Sequence, residues 1–260
     1  MPDGRGAGVA PTRSKKSAQG VGSDMRVLVV ASRKGGSGKT TLSGHIAVEA
    51  ERRGAGPVAL MDFDPQGSLS DWWNQRKAET PVFVNSTIES LRSDIERLAG
   101  SDIRLLVIDT PPAITGAIRD VVDVADLVLV PSRPSPHDLR SAGATFSIVE
   151  GMGKPLVFVI NGATARARIT AEAVVALSEH GPLAPAIIHH RVDYAASMID
   201  GRTVMELGTG GRGAEEIGLL WEYLARRLGM AAGERPQGAL PHLDEADQAF
   251  PHAAALRAAS

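Results

Sequence analysis

The stretch from Arg26 to Thr41 restricts what this chain can fold into more than any other. It reads Arg-Val-Leu-Val-Val-Ala-Ser-Arg-Lys-Gly-Gly-Ser-Gly-Lys-Thr-Thr. Val27 to Ala31 is a short apolar run rich in β-branched residues, which reads as a buried strand, and from Leu42 to Glu51 apolar residues recur at helical spacing. A glycine-dense turn joins the two. Gly35, Gly36 and Gly38 let the backbone wrap closely around an anion with N–H groups turned inward, and the helix N-terminus adds the positive end of its dipole. Lys39 then supplies a mobile charge for the β and γ phosphates of a nucleotide, and Thr40 a hydroxyl for magnesium, with Ser37 and Thr41 completing the loop.

The loop departs from the general Gly-x-x-x-x-Gly-Lys-[Ser/Thr] pattern at one end. Arg33 stands where the first glycine belongs, and Lys34 follows it. Lys34-Gly-Gly-Ser-Gly-Lys-Thr resembles the deviant Walker A motif of the ParA/MinD family of P-loop ATPases. The resemblance implies that Lys34 reaches the phosphates held by the partner subunit of an ATP-bound sandwich dimer.

Two later strand ends agree with this reading. Pro57 to Met61 is apolar and ends at Asp62-Phe-Asp-Pro-Gln-Gly, where carboxylates suit a phosphoryl-transfer site that works by positioning and charge neutralisation. The segment resembles the family's Walker A′ motif, which implies that Asp62 holds magnesium through water and Asp64 orients the attacking water. On local grounds alone the two acids also serve as caps of the next helix, since Asp-Pro-x-Gly makes a good turn. Ile103 to Ile108 is the next buried strand and delivers Asp109, a Walker B pattern in which the carboxylate meets magnesium through water. Leu156 to Ile160 ends at Asn161-Gly-Ala-Thr. A GTP-specific Asn-Lys-x-Asp is absent there, so ATP is the expected nucleotide. The resemblance places Asn161 against the adenine, while a plain turn asparagine fits the residues equally well.

Several elements organise the rest. Trp72 and Trp73 are adjacent and so face different ways on a helix, one ring inward and one toward a loop or interface. Ser86-Thr-Ile-Glu89 predicts a capping box opening a helix with Ile88, Leu91, Ile95 and Leu98 inward. Ser135, Pro136 and Asp138 predict the N-cap, N1 and N3 of a helix running to Glu150. This joint looks like the corresponding segment of small ParF-type ParA proteins. A short strand from Ile187, a basic Asp-Gly turn and a final helix from Glu215 to Leu228 complete the likeness, which extends from residue 25 to residue 229. His189 and His190 lack an acidic partner at ligand spacing, so a surface or loop position is expected.

Composition narrows the class further. The 260 residues are 43% hydrophobic, enough for a substantial core in one domain. With no cysteine, disulfides, thiolate metal sites and iron–sulfur ligation are excluded. Lys and Arg total 28 against 30 Asp and Glu, a formal net charge of −2, so any contact with nucleic acid has to come from a local patch. No apolar run approaches the ~20 residues of a membrane span, and Pro236, Pro241 and Pro251 disfavour a C-terminal amphipathic membrane helix.

The expected fold is an α/β P-loop domain at residues 25–230, a doubly wound, mostly parallel sheet with helices on both faces. Residues 1–24 read as a disordered basic leader and 231–260 as a disordered tail. The resemblance implies an ATPase using ATP and Mg2+, which forms a homodimer on ATP and higher assemblies, binds DNA non-specifically and is reset by a centromere-binding adaptor of ParB or ParG type. Arg191, Arg202 and Arg212 are the matching DNA-contact candidates. The implied role is DNA partition in a cytoplasmic, nucleoid-associated setting, without a membrane. Placement of a protein cargo by the same switch, and a metabolic P-loop ligase, are the alternatives.

Overall fold

The computed structural model describes residues 25–112, 116–208 and 211–233. The expectations for the leader, and for the tail beyond residue 233, therefore lie outside the described residues.

Seven parallel strands form one sheet. They are β1 (Arg26–Val30), β2 (Val58–Asp62), β3 (Val82–Phe83), β4 (Leu105–Asp109), β5 (Leu127–Ser132), β6 (Leu156–Ala163) and β7 (Leu183–His189). Their order is β3-β2-β4-β1-β5-β6-β7, which puts the strand ahead of the glycine loop at the centre. Central parallel strands are covered on both faces, so β1, β4 and β5 are near-continuous in Val, Ile and Leu. The sheet separates two apolar clusters: Leu28 and Val30 face one, Val27 and Val29 the other.

Eight α-helices flank the sheet among the described residues. On one face lie α1 (Lys39–Arg52), α2 (Ser68–Gln75), α7 (Val192–Met198) and α8 (Arg212–Leu228), around Trp72 and the fully buried Trp221. The other face is covered by α3 (Leu91–Ala99), α4 (Gly116–Asp123), α5 (Pro136–Gly151) and α6 (Arg168–Ser178), around Phe158.

Register decides what meets at the top of the sheet. Val30 pairs with Asp109, and Asp109 pairs with Asp62. The mouth of the glycine loop and the two acidic strand ends therefore stand at one level on three neighbouring strands. This is the crevice beyond the carboxyl ends of the strands, where open α/β sheets bind ligands.

Three elements differ from the sequence reading. Helix α3 begins at Leu91, because Thr87 and Ser90 bond each other first, Ser90 N–H to Thr87 Oγ1 at 3.3 Å and Thr87 N–H to Ser90 Oγ at 3.1 Å. Side-chain bonds of this kind compete with the helical ladder and hold Ser86 to Ser90 as a turn. Strand β7 starts four residues before Ile187, and Pro185 inside it is exposed, as an edge strand allows. Helix α8 starts three residues before Glu215, at Arg212. Helix α5 has the expected cap, with Ser135 Oγ accepting from Asp138 N–H at 3.2 Å.

Candidate nucleotide-binding site

The loop after β1 is built to leave space above its backbone. Gly36 and Gly38 have φ of +72° and +97°, a region that side chains rarely enter. A Cβ on Gly38 would also overlap the amide of Asn161, which closes in from β6 and donates from Nδ2 to Ser37 O at 2.6 Å. Asn161 thus meets the glycine loop itself in this structure. Gly38 is the N-cap of α1 and bears no capping side chain, so the first N–H groups of that helix lack a side-chain acceptor.

Lys39 is 6% exposed, and its Nζ lies 3.5 Å from Lys34 O. Burial lowers its pKa, while Asp109 and then Asp64 act in the opposite sense. Lys34, five residues earlier, has an exposed side chain. The two lysines of one loop therefore have different surroundings, one turned into the site and one facing solvent.

Thr40 Oγ1 donates to Asp109 Oδ2 at 2.6 Å, and Thr110 N–H donates to Asp109 Oδ1 at 3.1 Å. Asp109 is fully buried, and its pKa is pushed up to about 7, first by desolvation and then by the charge of Asp62, against the hydrogen bond from Thr40 and the charge of Lys39. A hydroxyl and a carboxylate side by side at the end of a parallel strand are the donor set expected for magnesium bound with a phosphate. The residues fit the ion. Thr40 would hold it, with Asp109 and Asp62 acting through water, and the ion when bound would neutralise developing phosphate charge.

Asp62 does two things at once. Its Oδ1 accepts from Asp64 N–H at 2.9 Å, and its Oδ2 accepts from Leu69 N–H at 3.0 Å and Ser70 N–H at 3.1 Å. The side chain therefore caps α2 from outside that helix, where Gly67 at the N-cap provides no acceptor. Asp64 is half-buried and lines the cleft, and its Oδ1 accepts from Gln66 N–H at 3.0 Å.

The cleft has a volume of about 860 Å3 and runs from the glycine loop past Asp64 and Trp72 to Met198. Trp72 packs inward against Gly44 of α1 and donates from Nε1 to Arg202 O, whereas Trp73 turns to the loop at Pro81. Arg133, one residue past β5, stands on the cleft wall. The sequence reading passed over it, although its place just after a central strand is the signal that marked Asp64 and Asp109.

The three DNA-contact candidates differ in how free their charge is: Arg191 is the N-cap of α7, Arg202 lies in the segment after that helix, and Arg212 opens α8. Arg191 points back into the protein, where Nε donates to Glu216 Oε1 at 3.1 Å and Nη2 reaches the same oxygen. Arg202 forms an exposed pair with Asp200. Arg212 is exposed at the first turn of α8. His189 ends β7, half-buried, and its acidic neighbour comes from the fold and not from ligand spacing in the sequence: Glu216 Oε1 of α8, 27 residues on, lies 2.8 Å from Nδ1. Among the described residues no group of three or more His, Cys, Asp or Glu is arranged to hold a metal ion. Nor is any described helix long and apolar enough to cross a membrane.

Known proteins are similar to this chain in sequence and in fold. The model of the CobQ/CobB/MinD/ParA nucleotide binding domain matches residues 28–204. The maintenance of carboxysome distribution protein A of Halothiobacillus neapolitanus is 30% identical over 200 residues, 73% of this chain and 91% of that protein. Protein ParA of Rhizobium radiobacter is 30% identical over 128 residues, 48% of this chain and 56% of that protein. Among solved structures, a putative plasmid partition protein of Borrelia burgdorferi bound to AMPPNP superposes with a TM-score of 0.64 at 16% identity, over 78% of this chain and 99% of that one.

Proposed function

The chain belongs to the CobQ/CobB/MinD/ParA family of nucleotide-binding domains, and from that premise we propose that it is a ParA-type ATPase that drives DNA partition. In this reading it dimerises on ATP, binds DNA non-specifically and is reset when an adaptor of ParB or ParG type stimulates hydrolysis. The observation that carries the proposal is the double-lysine loop, with Lys39 buried among the acids and Lys34 exposed on the same loop.

Gly35, Gly36, Ser37, Gly38 and Thr41 cradle the phosphates, Lys39 bears on their charge, and Thr40 holds the ion that ATP brings. Asp64 orients the attacking water from the half-buried wall of the cleft, while Asp62 fixes the loop that carries Asp64 through its bond to Asp64 N–H. Lys34 points away from its own nucleotide and meets that of a second copy. Val192 and Ile199, 76% and 78% exposed and seven positions apart at the two ends of α7, share one side of that helix and support a dimer face there. DNA contact falls to Arg202 and Arg212 more than to Arg191, whose charge Glu216 absorbs.

DNA co-sedimentation with and without ATP tests the switch. Binding is expected only with ATP, and each phosphate contact removed should lower the log–log salt slope by about 0.9. Retention that is the same without nucleotide would exclude it. Placement of a protein cargo is a second reading, favoured by the match over 91% of a carboxysome-distribution protein against 56% of a ParA protein. Loss of a test plasmid in a deletion strain supports partition, and a mislocalised protein assembly with normal plasmid inheritance supports cargo placement.

A further inference from the structure

The phosphate loop has a neighbour that the motifs do not include. Arg133 directly follows β5, the strand between β1 and β6, and its side chain lies across the gap between their loops. Its Cγ and Nε are 3.6 Å from where a Cβ on Gly162 would sit, and its Nη2 is 3.9 Å from the corresponding point on Gly36. The stem therefore rests on the end of β6 while the guanidinium sits beside the middle of the glycine loop, on the wall of the cleft.

The root of this side chain is fixed. Ser135 N–H donates to Arg133 O at 2.8 Å, Pro134 and Pro136 restrict the backbone that follows, and Ser135 caps α5. The head has no fixed partner: among the described residues no hydrogen bond or ion pair is found for the guanidinium. Arg53, Arg76 and Arg191 each meet a carboxylate. An exposed guanidinium on a rigid root, beside a glycine loop whose backbone lacks side chains, is suited to an anion with several acceptor oxygens.

We infer that Arg133 is a nucleotide-binding residue whose guanidinium grips the polyphosphate of ATP from the β5 side of the loop. The assignment rests on the ATP reading above. It adds a cation from a different element to those of Lys34 and Lys39, and it makes the β5–α5 joint part of the site.

Displacement of a fluorescent ATP analogue from the full chain, by ATP and by tripolyphosphate, tests the assignment. Tripolyphosphate carries the phosphates without base or sugar. Arg133→Gln should weaken both competitors by about tenfold, the size of one lost charge-assisted contact. Arg133→Lys should recover part of the loss, with the thermal midpoint of the nucleotide-free protein unchanged in both variants. ATP affinity equal to wild type in Arg133→Gln overturns the assignment. So does a loss for ATP without a loss for tripolyphosphate, which would move the guanidinium to the base or sugar. Failure of the wild-type chain itself to bind ATP refutes the underlying nucleotide reading and is distinguishable from either result.

Discussion

Lys39 meets the site from the first turn of α1, and its removal should be felt directly in binding. Lys39→Ala loses charge-assisted phosphate contacts worth about 1.5–3 kcal/mol each, so titration with a fluorescent ATP analogue should show affinity at least tenfold weaker. Asp64→Ala should instead bind ATP and dimerise but turn it over slowly, because only the orientation of water is lost; failure to bind would exchange the roles of Asp62 and Asp64. His45 gives a pH effect of fixed sign. It is fully buried, with Nδ1 2.8 Å from Thr41 O and Nε2 accepting from Val204 N–H at 3.2 Å, and desolvation lowers its pKa to about 4, against the backbone bond to Thr41 and the charge of Glu206. The unfolded chain, with a histidine pKa near 6.5, binds this proton first, so stability falls as pH drops from about 6.5 toward 4. Thermal midpoints across that window should fall less steeply in His45→Phe than in wild type. Residues of the loop and of the acidic strand ends were legible in the sequence because their chemistry demands short spacing. His45 and Val204 are 159 positions apart, and nothing local announces their bond.

Helix α1 is the element on which the others converge, since almost every side chain from Leu42 to Ala50 is buried. Its C-terminal end meets α8 through a buried ion network: Arg53 Nε to Glu49 Oε1 at 2.6 Å and Arg53 Nη1 to Glu222 Oε1 at 2.8 Å. Removing the shared cation takes a short, buried charge-assisted contact from both Glu49 and Glu222. Arg53→Ala should therefore cost about 3–5 kcal/mol, read as a lower urea midpoint with an unchanged slope. The central strands could be read from their apolar runs, and α5 from its Ser-Pro-x-Asp cap. Strand β7 was legible only from Ile187, because Pro185 breaks the pattern and an edge strand has weaker apolar continuity. The capping role of Asp62 could be read as an alternative from the turn sequence, but its three N–H partners needed the fold.

Over the whole molecule the charges nearly cancel, at −2, so an electrostatic function has to arise from a local patch, which a second copy in the proposed dimer would double. Lys34 is the residue on which the proposed dimer turns. In the proposed ATP dimer, Lys39 serves the nucleotide of its own copy from inside the site, while the exposed Lys34 would supply charge to the other copy's γ phosphate across a two-fold axis. Lys34→Ala should bind ATP nearly normally as a monomer and lose dimerisation, DNA retention and stimulated turnover together. Light scattering with ATP and magnesium reads this out, and a normal ATP dimer with normal turnover would remove Lys34 from the mechanism. The placement of α8 also bears on how the molecule comes into being. The strand that begins the chain's fold is central, yet the face it shares with α1 stays open until Leu220, Trp221 and Leu224 arrive from the last helix. On a translating ribosome the helix that follows the glycine loop is made early and covered last, so a nascent chain stalled before Arg212 should remain open to protease while one that has released Leu228 resists it.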